Sequence, residues 1–344
     1  MFLIVAHHYV VNSGVMDLMY KQPLSVNSIF LFLFGMWGKI GINCFVLITG
    51  YFMCKSKITV KKFLKLFWEI EFYKIIIYVV FVASGYEALS ISGIVKAILP
   101  ITSIETNFTG CFLVFYLCIP FLNILVKNMD EKQHLKLLGL VFFTYVFMGT
   151  VPKFAVSMNY VSWFTCLYFI ASYIRLYPKK IFRQTRTWAA CMVVTAVLCI
   201  ASVLCCSWVG AEIDKQVAYF FVSDSNTFLA VCMGIFSFLF FKNLNIPQSK
   251  TINTIASSTF GVLLIHANSD TMRDWLWKSI LNVKAIFYGG LDMLVLHAII
   301  SVFAIFFICV MIDQIRSQTI EKAFLDKMTI AVDKILLKVE VKNE

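Results

Sequence analysis

Two adjacent histidines, His7 and His8, interrupt the apolar stretch that opens the sequence. A charged side chain inside a membrane-length apolar segment costs about 2.5–3.5 kcal/mol on insertion scales, so an ionisable residue there is a candidate for function. Imidazole has an unperturbed pKa of about 6.5 and suits general base catalysis at cellular pH. Neighbouring residues of a helix point about 100° apart, so we expect at most one histidine to face any single cavity.

Two carboxylates, Glu69 and Glu71, lie directly before another apolar run. Because they lie within a predicted membrane span, we expect them either to form salt bridges with Lys65 or Lys74 or to help orient a catalytic group. We carry Glu69 as a candidate catalytic residue.

The other histidines are scattered along the chain. His266 lies in a late apolar segment, where packing is the default interpretation, although it could face the cavity from the opposite side. His297 is alone in the last apolar segment and is expected to pack. His134 lies between Lys132 and Lys136, so we expect it to be solvated in a loop.

Eleven cysteines lie in or beside apolar segments, with no C-x-x-C pair and no Cys/His spacing of a metal site. Cysteine in such places acts as a small, polarisable apolar side chain. We therefore expect no metal and no permanently bound cofactor.

The elements that must position these residues are apolar helices. The chain is 60% hydrophobic and only 14% charged, with a mean hydropathy of +0.83, whereas soluble domains are about 25% charged. Apolar blocks separated by short polar stretches predict an all-α, polytopic integral membrane bundle of about ten transmembrane helices. The predicted spans are approximately 1–16, 38–54, 66–84, 110–126, 135–150, 161–177, 188–209, 226–242, 254–268 and 291–312, and 26–34 could extend the second into a long or broken helix.

The net charge of +11 predicts orientation rather than nucleic-acid binding, because no basic cluster lies on a recognisable nucleic-acid module. Segments after even-numbered spans hold 21 Lys and Arg residues, whereas segments after odd-numbered spans hold seven. By the positive-inside rule we expect both termini to be cytoplasmic. Two lysines, Lys39 and Lys74, fall within the predicted spans themselves.

Six stretches, in order, together resemble the membrane acyltransferase-3 family of polytopic O-acyltransferases that modify bacterial surface glycans. They are AHHYVVNSG, GKIGINCFVLITGYFM, KSKITVKKFLKLFWEIEFYKI, CFLVFYLCIPFLNILV, LYFIASYIRLYPKK and SSTFGVLLIHAN. The resemblance implies one membrane acyltransferase domain over 1–312. The tail at 313–344 has helically spaced apolar residues between charges, which predicts a cytoplasmic amphipathic helix.

The resemblance implies transfer of an acyl group, with acetyl expected, from acyl-CoA to a hydroxyl of a cell-surface polysaccharide or its lipid-linked precursor. The enzyme would lie in the bacterial cytoplasmic (inner) membrane. His8 would be the general base, with His7 orienting it or packing nearby. The glycan would dock on the non-cytoplasmic loops, the longest of which are about 84–109 and 210–225.

The acyl-CoA donor would enter from the cytoplasm, because its phosphates cannot cross the bilayer core. The lysines of the basic stretch after the second span could bind those phosphates as point charges, although headgroup contacts explain them equally well. Tyr51 and Arg175 are similar to family positions, with roles that the sequence does not separate from helix packing. The lysine candidates are Lys61, Lys62 and Lys65.

The family signature also places an arginine eleven positions before the histidine of the first helix. If His8 is that histidine, the arginine would precede residue 1. A spanning helix needs about 20 residues, and seven precede His8. We therefore expect Met1 to be an internal methionine of a longer protein and the first helix to be truncated here.

Two other functions remain open on the sequence alone. A transporter of a polysaccharide intermediate fits the predicted topology, but it should show intramembrane carboxylates or repeat symmetry, and neither stands out. A noncatalytic membrane partner in glycan assembly is the second alternative. The histidine pair favours the enzyme.

Overall fold

The computed structural model describes residues 1–99, 107–151, 154, 156, 159–321 and 324. Throughout these ranges the regular secondary structure is helical, with no strand. This agrees with the predicted all-α class. The tail predicted over 313–344 lies mostly outside the described residues.

The helices are α1 (Phe2–Val11), α2 (Met16–Lys21), α3 (Val26–Gly35), α4 (Gly38–Met53), α5 (Val60–Ala83), α6 (Ile91–Ile98), α7 (Phe108–Asn128), α8 (Glu131–Val141), α9 (Met148–Thr150), α10 (Tyr160–Leu176), α11 (Thr185–Ile213), α12 (Phe228–Lys242), α13 (Lys250–Ser257), α14 (Thr259–His266), α15 (Asp270–Arg273), α16 (Val283–Phe287) and α17 (Leu291–Arg316). Short π-helical segments, Phe142–Phe147, Asp274–Ile280 and Ser317–Glu321, continue α8, α15 and α17, and a 3₁₀ turn covers Lys180–Arg183.

Four helical stretches are long and apolar enough to cross a membrane. The other predicted spans also coincide with helices, but these are shorter, interrupted or less apolar. The four stretches are Val26–Met53, Phe108–Asn128, Thr185–Ile213 and Leu291–Glu321.

Local sequence explains where several helices begin. Ser25, Thr59 and Asn159 each accept a hydrogen bond from the backbone N–H three residues further along, in the first turn of the helix that follows. Asp130 and Gln133 form a reciprocal capping box at the start of α8. Such caps satisfy N–H groups that would otherwise lack partners in a low-dielectric environment.

The stretch from Val26 to Met53 is a broken helix, one of the alternatives that the sequence left open. α3 ends at Gly35 and α4 begins at Gly38, with Met36 and Trp37 between them. α1 packs against both halves of this broken helix and against α17. The histidine pair is therefore held at the junction of three elements.

α4 is the central helix, because it packs against α1, α10 and α12. Asn43 of α4 is fully buried and donates to the carbonyl oxygens of Ser225 and Ala230 at 2.7 and 3.2 Å. It also accepts a hydrogen bond from Trp163 Nε1 at 2.9 Å. A buried amide with its donors and acceptor used in this way fixes the register of three neighbouring elements.

A close approach of α1 to α4 requires glycine at position 38. A Cβ on Gly38 would overlap the His7 side chain. The small residue therefore allows His7 to lie flat against the first turn of α4.

His134 differs from its sequence prediction. Its side chain is fully buried, and Nε2 lies 3.0 Å from the carbonyl oxygen of Phe169 on α10. The prediction of a solvated loop residue was wrong. The neighbouring lysines face outward on α8, whereas the histidine occupies the face that packs against α10.

Candidate active site

A cavity of about 610 Å³ opens beside α1 and is bordered by α4, α5, α6, the start of α7 and the segment after α14. His7 and His8 both line it. The prediction that only one histidine would face a single cavity was wrong. The cavity is wide enough to cover both directions in which the two side chains leave α1.

His7 is fixed to the break between α3 and α4. Its Nδ1 lies 2.7 Å from the carbonyl oxygen of Gly35, the last residue of α3. A carbonyl only accepts, so Nδ1 of His7 carries the proton. The Gly35 carbonyl lies at the end of α3, where carbonyl groups have no N–H partner within the helix, and His7 provides the missing donor.

His8 is hydrogen-bonded to a second histidine, His266, at the end of α14. The distance from His8 Nδ1 to His266 Nε2 is 2.9 Å. The other ring nitrogen of His266, Nδ1, lies 2.5 Å from the carbonyl oxygen of Val262. His266 is fully buried.

This chain of contacts determines where the protons lie. The Val262 carbonyl can only accept, so His266 Nδ1 carries a hydrogen and, in the neutral ring, Nε2 of His266 is an acceptor. His8 must then donate from Nδ1, which leaves the lone pair on Nε2 of His8. Within the described ranges, Nε2 of His8 has no hydrogen-bond partner. The geometry therefore presents an oriented, unprotonated nitrogen beside the cavity, as a general base requires.

The rest of the cavity is polar and rich in cations. Lys39 donates to the hydroxyl of Tyr160 at 2.9 Å, and Lys74 donates to the carbonyl oxygen of Lys96 at 3.3 Å. Arg273 also lines the cavity and forms a 2.6 Å salt bridge with a neighbouring carboxylate. The first turn of α4 and the C-terminal half of α5 thus each contribute a lysine side chain to the cavity.

A family model described as an acyltransferase domain matches residues 1–313. The chain belongs to the acyltransferase-3 family. No curated protein and no solved structure matches it. Together with the apolar helices, this membership identifies the protein as a membrane acyltransferase.

The acyltransferase fold does not bring Glu69 to the histidines. Glu69 is buried on α5, and its carboxylate lies 3.5 Å from Arg316 Nη2. Arg316 also contacts Asp313 at 3.0 Å and Glu321 at 2.6 Å. The expected partner Lys65 instead pairs with Glu321 at 2.7 Å. Glu69 therefore belongs to a charge cluster that joins α5 to α17, apart from the residues that line the cavity.

The lysine candidates lie at the opposite end of α5 from the cavity. Lys62 donates to Ser56 Oγ at 2.9 Å and to the carbonyl oxygen of Lys57 at 3.0 Å. Lys61 is exposed. Lys65, bound to Glu321 through a half-exposed side chain, stands one turn further along the helix. None of these lysines is among the residues that line the acyltransferase cavity.

Tyr51 and Arg175 form a pair of their own. Arg175 Nη1 donates to the Tyr51 hydroxyl at 2.9 Å, and the guanidinium lies 4.7 Å from the centre of the Tyr51 ring. The pair joins the end of α4 to the end of α10, away from the histidine cavity. Its contacts hold two helix ends together in this acyltransferase.

Sequence reasoning did not find Lys39 or Tyr160 as parts of the site. Lys39 carried a signal, because it was one of two lysines that fell inside predicted spans. Tyr160 begins α10 and carried no signal, since a tyrosine at the end of an apolar helix is common at membrane interfaces.

Proposed function

We propose that this acyltransferase moves an acyl group, with acetyl expected, from acyl-CoA to a hydroxyl of a cell-surface polysaccharide or its lipid-linked precursor. The observation that carries the proposal is the free Nε2 of His8, held by the His266 and Val262 contacts beside a cavity of about 610 Å³. A cavity of this size accommodates a sugar-sized group.

The reaction begins when the acceptor hydroxyl gives its proton to Nε2 of His8 as its oxygen attacks the thioester carbon. The resulting tetrahedral intermediate collapses with cleavage of the carbon–sulfur bond. The proton on Nε2 then passes to the leaving sulfur, so CoA departs as the thiol and His8 returns to its starting form. His266 accepts from Nδ1 throughout and disperses the transient charge on the His8 ring.

In the proposed topology the chain crosses a bacterial inner membrane ten times, and both termini lie on the cytoplasmic side. The charge distribution of 21 against seven supports this orientation. Lys61, Lys62 and Lys65 would then bind the phosphates of acyl-CoA at the cytoplasmic end of α5. Lys62 and Lys74 are twelve residues apart, or ~18 Å along a helix. The pantetheine arm of the donor, which joins the phosphates to the thioester, would cover this distance to reach the histidines.

In the same topology the acceptor glycan binds from the non-cytoplasmic side of the membrane. Part of the loop expected to dock a glycan, 84–109, contributes Glu87 and Thr109 to the cavity wall. The second loop, 210–225, does not line it within the described ranges. Of the two loops, we therefore assign acceptor docking to the first.

The test is transfer of radiolabelled acetyl from acetyl-CoA, supplied on the cytoplasmic face of membrane vesicles, to endogenous glycan. Removing the base in His8→Ala should lower the transfer rate at least 100-fold, since general base catalysis contributes about 10²–10⁴. Equal labelling by wild type and His8→Ala would remove His8 from the mechanism. If acetyl-CoA and longer acyl-CoAs all fail with the wild type, the transferase proposal itself fails.

A further inference from the structure

The two lysines that lay inside predicted spans have an unusual environment. Lys39 and Lys74 are half-buried in the cavity wall, and their hydrogen bonds are with neutral oxygens, the Tyr160 hydroxyl and the Lys96 carbonyl. The buried carboxylate of Glu71 is near Lys74 but forms no salt bridge with it. Taking an ammonium group out of water is costly, and neutral acceptors repay that cost only in part. A cation in this position is best stabilised by an anion.

The carboxylates that line the cavity leave a positive excess. Asp270 is engaged by Arg273 at 2.6 Å, and Glu87 accepts a hydrogen bond from Thr271 at 2.8 Å. Within the described residues, neither Lys39, Lys74 nor Lys96 has a carboxylate within salt-bridge distance. After the Arg273–Asp270 pair is set aside, three lysines face one glutamate in this cavity.

We propose that the cavity binds an acceptor glycan through an anionic group, a carboxylate or a phosphate, held by Lys39, Lys74 and Lys96. This inference rests on the proposed function and names its substrate class. Lysine ammonium groups are compact point charges, so they select for negative charge without demanding the flat, two-pronged geometry that arginine recognises. The anion fixes the sugar, and one of its hydroxyls then meets Nε2 of His8.

Lys39 links the anion site to the base. It follows Gly38, the residue whose missing side chain accommodates His7, and its side chain turns towards Tyr160 at the start of α10. Lys74 and Lys96 approach from α5 and α6 on another wall. An anion held between these walls lies in the same cavity as both histidines. Acceptor recognition and proton removal thus share one cavity.

The test measures binding without any acyl donor, so that it does not depend on transfer. The full chain in vesicles is titrated with three labelled monosaccharides that share one ring: neutral glucose, glucuronic acid and glucose phosphate. We expect at least tenfold tighter binding of one or both acidic probes, weakening as ionic strength rises. The acidic probe that binds tighter identifies carboxylate or phosphate as the group. Equal affinity for all three probes would overturn the inference.

Variants assign the binding to the lysines. Lys39→Gln and Lys74→Gln should each weaken binding of the acidic probe at least tenfold, whereas Lys39→Arg and Lys74→Arg, which keep the charge, should retain most of it. Lys284→Gln removes an exposed positive charge outside the cavity wall and should have no effect. Unchanged binding in the two glutamine variants would contradict the proposed site.

A transfer assay separates the two proposals. Acetyl transfer to neutral and acidic acceptors at equal rates would keep the transferase and overturn the anion site. Tight, lysine-dependent binding of an acidic probe without transfer from any acyl-CoA would keep the anion site and overturn the transferase.

Discussion

At the scale of single residues, the most informative feature is the chain of contacts from Val262 through His266 to His8. It works without a carboxylate, because a backbone carbonyl fixes the proton of one imidazole and that imidazole fixes the proton of the next. If His8 is the base, as proposed, His266 is a positioning residue for it. This role differs from the packing role that its isolated place in an apolar segment predicts.

Loss of the contact between His266 and His8 should lower the turnover of acyl transfer more than it weakens substrate binding. We expect His266→Ala to lower kcat of acyl transfer about 10- to 100-fold with little change in KM, because a misplaced base loses rate rather than affinity. His266→Gln should recover part of the loss, since its amide oxygen can accept from Nδ1 of His8. Steady-state kinetics of the variants checks this.

The control is His134→Gln, a change at a buried histidine that bonds the Phe169 carbonyl apart from the cavity. It should leave kcat near the wild-type value. If His266→Ala raised KM and left kcat unchanged, His266 would serve binding and the positioning role would be wrong.

The sequence predicted the histidines of α1 as candidates, because an ionisable pair inside an apolar segment stands out. It did not predict their partners. His8 and His266 are 258 positions apart, and no periodicity within a helix connects residues at that separation. For Glu69 the sequence correctly indicated a buried carboxylate, because the residue lies next to an apolar run. Its partner is Arg316, however, and not His8.

At the scale of elements, the approach of α1 to α4 depends on Gly38. Gly38→Ala would force its new methyl group into the His7 side chain. We expect a loss of about 1–3 kcal/mol of stability from this overpacking, together with a marked fall in acyl transfer because α1 carries His8, the proposed base. Thermal unfolding in detergent and the transfer assay measure the two effects.

Gly139→Ala is the matched control, since a Cβ at that helical position meets no other atom within 4 Å. It should leave activity unchanged and stability equal or slightly higher, because alanine favours a helix over glycine. Equal effects of the two substitutions would mean that helix propensity, and not the contact with His7, decides the outcome.

The charge cluster between α5 and α17 is a second dependence between elements. Arg316 is 3% exposed and contacts three carboxylates, on Glu69, Asp313 and Glu321. Arg316→Met would leave them without their central cation, which we expect to cost about 3–5 kcal/mol of stability. Loss of thermal stability in detergent measures this, and an unchanged midpoint would show that the cluster contributes nothing.

Lys65→Met provides the comparison for this cluster. Lys65 is 54% exposed in its pair with Glu321. Glu321 is buried, but it keeps its contact with Arg316 when Lys65 is removed. Loss of a solvated cation costs about 0.2–1 kcal/mol, so the midpoint should move far less than in Arg316→Met. The two variants together test whether burial of the cation sets the size of the effect.

Helix positions were largely predictable from sequence, because apolar blocks coincide with helices, but their interruptions were not. The break at Met36 and Trp37 was one of two alternatives for its stretch, and the division of the ninth span at Ser258 carried no clear signal. Such breaks depend on tertiary contacts, as when His7 satisfies the carbonyl of Gly35. A hydropathy pattern contains no information on those partners.

At the scale of the whole molecule, the cavity and the basic stretch lie at opposite ends of α5. Lys62 stands in its first turn, whereas Lys74 and Tyr78 border the cavity. Under the proposed function, a donor and an acceptor on opposite sides of the membrane would therefore meet in one active site. In the proposed topology the basic stretch lies on the cytoplasmic side and the cavity lies towards the opposite side.

Epitope tags in three loops can test on which side of the membrane each loop lies. Epitope tags inserted after Gly85, Gln248 or Gly289 enter exposed loops. Five predicted spans separate the first site from the second, and six separate it from the third. We therefore expect the tags at Gly85 and Gly289 to bind antibody on intact spheroplasts, and the tag at Gln248 only after permeabilisation. Glu87 lines the cavity two residues beyond Gly85. This labelling pattern would therefore show that the cavity faces the non-cytoplasmic side. Labelling of all three tags on one side would contradict both the span count and acceptor entry from outside.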